Sequence, residues 1–143
     1  MTKRGAALLL LLLFALLPGC AKKQKSPVFD GIRTAAAARF ELPGGKTGYM
    51  DSGISLMSSE LASMRLVRTP LEPADREEDW LYRIVFNPSE KVKNAQEIPV
   101  SFHADYVQIG TEYYTAEAGV PYDSILRWAE STFDECFKNH MGE

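Results

Sequence analysis

The run from Trp80 to Phe86, WLYRIVF, constrains this chain more tightly than any other segment. Trp80, Tyr82, Ile84 and Phe86 alternate with Leu81, Arg83 and Val85. Only an extended strand sends successive side chains to opposite faces, so the aromatic and aliphatic set predicts a buried face. Asn87-Pro88 closes the strand, because proline has no N–H for the next rung. A single strand leaves its own polar backbone unpaired, and the residues downstream supply neighbours. Ile98, Val100 and Phe102 alternate with Pro99, Ser101 and His103, giving a second strand after a polar connection from Ser89 to Gln96. The segments 106–109 and 112–115 then flank Gly110-Thr111, a glycine-first pair suited to a two-residue type II′ hairpin. The region from Trp80 to Thr115 reads as a meander.

Upstream, Phe40 and Leu42 within Arg39–Pro43 predict a short strand; Gly44-Gly45 turns it, and Thr47–Met50 pairs back. Ile54, Met57, Leu61 and Met64 recur at helical spacing, with Asp51 or Ser52 as the expected N-cap. Arg65–Thr69 alternates basic and aliphatic residues, the pattern of an edge strand, before Pro70 and Pro73 open an acidic loop to Asp79. At the other end, Pro121 suits a helix's first turn, and Ile125, Trp128, Ala129, Thr132, Phe133, Cys136 and Phe137 form one stripe. The expected fold class is α+β: a mainly antiparallel sheet of five or six strands with two helices, the C-terminal helix packed on one face.

The first 19 residues have a different character. Lys3 and Arg4 precede an apolar run from Gly5 to Leu17 that contains six consecutive leucines, and small residues follow. The run falls short of the roughly 20 apolar residues a membrane-spanning helix needs, so an export signal is the better reading. It ends in Leu17-Pro18-Gly19-Cys20, which resembles the lipobox of bacterial lipoproteins: an aliphatic residue, then a small residue just before the cut, then an obligatory cysteine. Pro18 departs from the small or hydroxylated residue usual at its place. In that family the cysteine thiol receives a diacylglyceryl group, and cleavage before it frees an amine that can also be acylated. The resemblance therefore implies lipidation at Cys20 and anchoring on the extracytoplasmic face of the cell membrane, because two or more acyl chains hold stably where one does not. The organisation expected is a signal peptide at 1–19, a lipidated and basic tether at 20–34, and a single domain at 35–143. With Cys20 lipidated, Cys136 has no partner within the chain and falls on the apolar stripe of the last helix, as a buried small side chain.

Charge divides along the same boundary. The whole chain carries −3, yet the tether holds Lys22, Lys23, Lys25 and Arg33 against only Asp30, while residues 35–143 carry 10 basic and 18 acidic side chains. An acidic domain lacks the clustered Lys and Arg that displace counterions from phosphate, which argues against nucleic acid. A basic tether is drawn to an anionic lipid surface by roughly 1 kcal/mol per lysine. The acidic domain above it is repelled.

Residues with chemical potential are few. His140 lies at the C-terminus. His103 with Asp105 sits at a strand turn where a carboxylate could orient an imidazole base; strand parity puts His103 with Ser101 on the polar face, predicting an exposed turn histidine. Glu72, Asp75, Glu77, Glu78 and Asp79 offer oxygen ligands but lack the Asp/Asn alternation and fixed glycine of a calcium loop, and Arg76 stands among them. The chain has no nucleophile elbow, phosphate-binding glycine loop, Cys-x-x-Cys or His-Glu-x-x-His. Sequence therefore assigns no catalytic residue, no metal ligand and no cofactor. Trp80, Tyr82, Tyr106, Tyr113, Tyr114 and Trp128 are expected mainly in the core, but the adjacent Tyr113 and Tyr114 must point to opposite faces, so one is offered to a glycan or a peptide strand.

A hairpin, a helix, an aromatic-led strand, a meander with paired tyrosines and a closing helix together resemble small cell-envelope lipoproteins of Gram-positive bacteria whose function is not established. The resemblance implies a fold and an address. The leading functional expectation is a noncatalytic envelope lipoprotein that binds a protein or glycan partner through its sheet face or an edge strand. The competing ones are a small hydrolase or transferase using His103 and Asp105, and an accessory subunit of a membrane transporter or signalling complex.

Overall fold

The computed structural model describes residues 27–70, 79–89, 91 and 93–140. The expected leader, Cys20, the tether as far as Ser26 and the acidic positions Glu72, Asp75, Glu77 and Glu78 lie outside the described residues. In chain order the elements are α1 (Pro27–Arg33), β1 (Ala35–Glu41), β2 (Thr47–Met50), α2 (Ile54–Ser63), β3 (Leu66–Thr69), β4 (Tyr82–Pro88), β5 (Ile98–Phe102), β6 (Val107–Ile109), β7 (Glu112–Ala116) and α3 (Tyr122–His140).

The strands form one antiparallel sheet in the order β2-β1-β4-β5-β6-β7-β3. The class is α+β as expected, and the described residues hold seven strands in place of five or six and three helices in place of two. The β6–β7 hairpin turns on Gly110-Thr111, with a positive φ of 58° at Gly110 only, the requirement of the type II′ turn.

Register gathers the apolar residues onto one face. Ala38, Phe40, Ile84, Phe86, Val100, Phe102, Val107, Ile109 and Tyr114 belong to a single buried cluster with Ile32 of α1, Ile54, Met57 and Leu61 of α2, and Ile125, Ala129, Phe133, Cys136 and Phe137 of α3. The α3 residues recur every three or four positions, so one stripe of that helix is buried along its length. Phe133 is central: its ring centroid lies 5.0 Å from both Phe40, edge-on, and Tyr82. At the β2 end, α3 approaches so closely that a Cβ on Gly48 would lie 3.1 Å from the Phe137 ring and 3.2 Å from the Cys136 sulfur.

Four local expectations are corrected. Pro27–Arg33 is a helix, not tether, and its Ile32 is fully buried in the core; seven residues give too little periodicity to show this in sequence, and packing stabilises the helix instead. β1 begins at Ala35, four residues earlier than expected, since Ala37 and Ala38 are buried despite alanine's low strand propensity. Helix α2 is preceded by Gly53 at φ 72°, with no side-chain cap from Asp51 or Ser52. Trp80 precedes β4 and leaves its parity, lying against Arg83 with the guanidinium carbon 4.3 Å from its ring centroid.

Candidate functional site

Every buried side chain of the three helices that joins the core cluster meets the first face of the sheet. The second face is built differently. Thr47, Glu41, Arg83, Ser101, Gln108, Tyr113 and Thr69 are successive register partners across all seven strands. Each carries a hydrogen-bonding side chain, at interstrand steps of about 4.8 Å.

The centre of this row is tied together. Arg83 Nε donates to Ser101 Oγ at 2.9 Å, and its Nη1 lies 3.8 Å from Glu41 Oε2. Glu41 also accepts from Arg39 Nε at 2.8 Å, and Arg39 reaches Glu97 at 3.4 Å. Two arginines and two carboxylates thus form a neutral chain along β1, β4 and the approach to β5. Trp80 on one side of Arg83 and Ser101 on the other fix the guanidinium plane, a geometry suited to directional recognition rather than to bulk attraction.

His103 follows Ser101 at the end of β5. Parity placed it correctly beside Ser101, but the expectation of exposure is overturned: it is 2% exposed. Its ring stacks on Tyr106, centroids 4.1 Å apart and planes 12° from parallel, and Tyr106 meets Tyr113 edge-on at 5.9 Å. Burial, then the nearby Arg83 charge, holds the imidazole pKa below its ordinary value, with Asp105 and Asp79 opposing. The Asp79 backbone is near enough to favour the charged ring. Neither ring nitrogen closes a hydrogen bond of ordinary geometry.

Asp105 shares the turn with His103 and is exposed, but the carboxylate does not hydrogen-bond the imidazole. The turn is held from below instead, by the Tyr122 hydroxyl of α3 lying 2.7 Å from the His103 carbonyl oxygen and 2.5 Å from that of Tyr106. A buried, neutral, stacked imidazole without an oriented partner is poorly placed to take a proton from a substrate.

The tyrosine pair divides as expected. Tyr114 is buried on the first face, its hydroxyl donating to Glu112 at 2.6 Å, while Tyr113 is partly exposed on the second. Cys136 is buried, and burial pushes its thiol pKa up, away from thiolate reactivity. Asp79 is exposed, and among the described residues no group of three or more His, Cys, Asp and Glu is placed to hold a metal ion. No described helix is long and apolar enough to cross a membrane. α3 continues to His140.

Sequence reasoning missed Arg39, Glu41, Arg83, Glu97 and Gln108 as a group. Strand parity alone could have put Arg83 and Ser101 on one face. Setting Glu41 beside Arg83 required knowing that β1 pairs with β4.

The fold and this face define a helix-backed antiparallel sheet with a polar second surface. The chain matches no protein-family model, no curated protein and no solved structure.

Proposed function

We propose that this protein is a lipid-anchored component of the bacterial cell envelope that acts as a noncatalytic binding module, using the second face of its sheet. The address rests on the leader and on Leu17-Pro18-Gly19-Cys20, with Cys20 as the lipidated residue and the cell membrane as its first partner. The observation that carries the binding reading is the row from Thr47 to Thr69, since a purely structural outer face has no need of directional donors and acceptors in register on every strand. Its Glu41–Arg83 pairing leaves little net charge, which suits a partner read by hydrogen bonds and contact. The His103–Asp105 hydrolase or transferase loses support from the burial of the ring and its missing carboxylate bond.

The test places a photo-crosslinking residue at Gln108 in the full chain, expressed in its own cells, beside a Cys20→Ala version. The reading expects a discrete crosslinked envelope component that disappears when lipidation is blocked. Capture of nothing beyond background, with the protein in the membrane fraction, overturns the binding reading. A Cys20→Ala protein that stays membrane-bound overturns the anchor.

A further inference from the structure

The two ends of the sheet differ. One end gathers the starts of β1 and β5 and the close of β4, since Ala35 pairs with Pro88 and Ile98 with Phe86. α1 crosses this end: it leads through Thr34 into β1, and its Gly31 lies so near β5 that a Cβ there would stand 2.5 Å from the Ile98 Cδ1. The other end holds Asp79 before β4, the β5–β6 turn and the β7–α3 connection. We propose that the α1 end is a membrane-contact surface, seated on anionic lipid headgroups through Lys91 and Lys93 with the sheet standing upright above it. The proposal rests on the lipid anchor at Cys20 and adds to it a contact made by the domain itself.

Chain length limits how the domain can sit. Ile32 is fully buried, so α1 belongs to the domain, and only residues 21–26 separate Cys20 from Pro27. Fully extended, the chain from Cys20 to Pro27 reaches about 24 Å. A domain of this size is about 30 Å across. The far end therefore cannot be brought down to the lipid while the chain enters at the near one.

Charge then favours contact over mere proximity. Lys91 and Lys93 are exposed in the β4–β5 connection, a few residues beyond Pro88. Of the acids in that connection, Glu97 is turned to Arg39 at 3.4 Å, which leaves Glu90 against two lysines. Arg33 and Asp30, both exposed on α1, offset each other, and Lys22, Lys23 and Lys25 precede them in the tether. The far end presents exposed Asp79, Asp105 and Asp123, while its Arg65 is paired with Glu117 at 3.1 Å. An anionic surface thus attracts one end and repels the other. Each lysine beside such a surface favours contact roughly fivefold, an effect that fades within about 8 Å at physiological salt. The two lysines stand on an open connection and form no cradle, which suits an extended lipid surface better than a single free phosphate. Seated this way, the second face opens sideways, so Gln108 and Tyr113 meet a partner lying beside the protein.

The experiment reconstitutes the lipidated chain, purified from cells, into vesicles of phosphatidylcholine alone or of phosphatidylcholine with phosphatidylglycerol, each with a trace of headgroup-spin-labelled lipid. A fluorescent amino acid replaces exposed Gln96 at the near end in one preparation and exposed Ala118 at the far end in another. The expected result is quenching at Gln96 but not at Ala118 in the phosphatidylglycerol vesicles. Lys91→Glu with Lys93→Glu, both on the surface, lowers the ratio of seated to unseated protein by about tenfold or more. Equal quenching at the two positions overturns the seating, as does quenching at Gln96 that is indifferent to the two substitutions or to phosphatidylglycerol. Flotation of the same vesicles reads the anchor separately. A chain that floats without the asymmetry loses only the seating, whereas one that does not float loses the anchor and the seating with it.

Discussion

The hydroxyl of Tyr122 sits between two carbonyl oxygens of another element, 2.7 Å from His103 and 2.5 Å from Tyr106. The first residue of the closing helix thereby holds the β5–β6 turn, whose own closure is the His103 N–H to Tyr106 carbonyl bond at 2.9 Å. Burial, followed by the charge of Asp105, raises the Tyr122 pKa above its ordinary value, which keeps the hydroxyl a donor throughout the accessible pH range. Tyr122→Phe leaves the ring and removes the donor. The Tyr106 carbonyl keeps the His103 N–H, so the loss falls mainly on the His103 carbonyl; a part-buried carbonyl deprived of its donor costs about 1–3 kcal/mol, and urea unfolding of the variant should show a lower midpoint with an unchanged m-value. An unchanged midpoint would mean that water replaces the hydroxyl at no cost.

His103 gives the fold a pH dependence whose sign follows from its burial. Its folded pKa is lowered, so the unfolded chain binds the proton more readily than the native one. The contribution of the neutral ring is fully present above the unfolded value of about 6.5 and is lost as pH falls through that value toward the folded pKa. The groups facing the ring are Arg83, which opposes its charging, and Asp105 and Asp79, which favour it. His103→Phe keeps a ring to stack on Tyr106 and removes the titration. Thermal midpoints measured from neutral to mildly acid pH should fall more steeply for the wild type than for this variant; parallel curves would show that the slope arises elsewhere.

Gly48 is glycine because of what faces it. A methyl group there meets the Phe137 ring at 3.1 Å and the Cys136 sulfur at 3.2 Å, both on a packed helix with little room to retreat. Gly48→Ala should destabilise by about 1–3 kcal/mol, as overpacking does. Adding Cys136→Ala frees space on one side, so the double mutant should be more stable than the sum of the single effects predicts. Additive losses in calorimetry would place the strain in the backbone instead.

Phe133 bridges the two layers through Phe40 and Tyr82 and is 2% exposed. Phe133→Ala removes the ring through which the α3 stripe meets Phe40 of β1 and Tyr82 of β4. A loss of about 3–5 kcal/mol is expected, a large part of the 5–15 kcal/mol typical of a whole domain. Circular dichroism should show a melting transition lowered by well over ten degrees or a chain already partly unfolded at room temperature. A small shift would show that neighbouring side chains collapse into the space.

The sequence by itself determined the parts whose evidence is local. Alternation from Tyr82 to Phe86, the Gly110-Thr111 turn and the α3 stripe all report on neighbours within a few residues, and the α+β class followed from them. Tertiary structure decided the rest, because its causes are distant in the chain. Ile32 is buried because α2 and the sheet meet above it, which no seven-residue pattern encodes. His103 is buried, contrary to the polar alternation of its strand, because the Tyr106 ring from the following strand's approach stacks on it. The candidate site is the clearest case: Glu41, Arg83, Gln108 and Tyr113 belong to four strands, and only the sheet order sets them side by side. Local periodicity tells a side chain which way to point, and pairing between strands tells it what it will meet there.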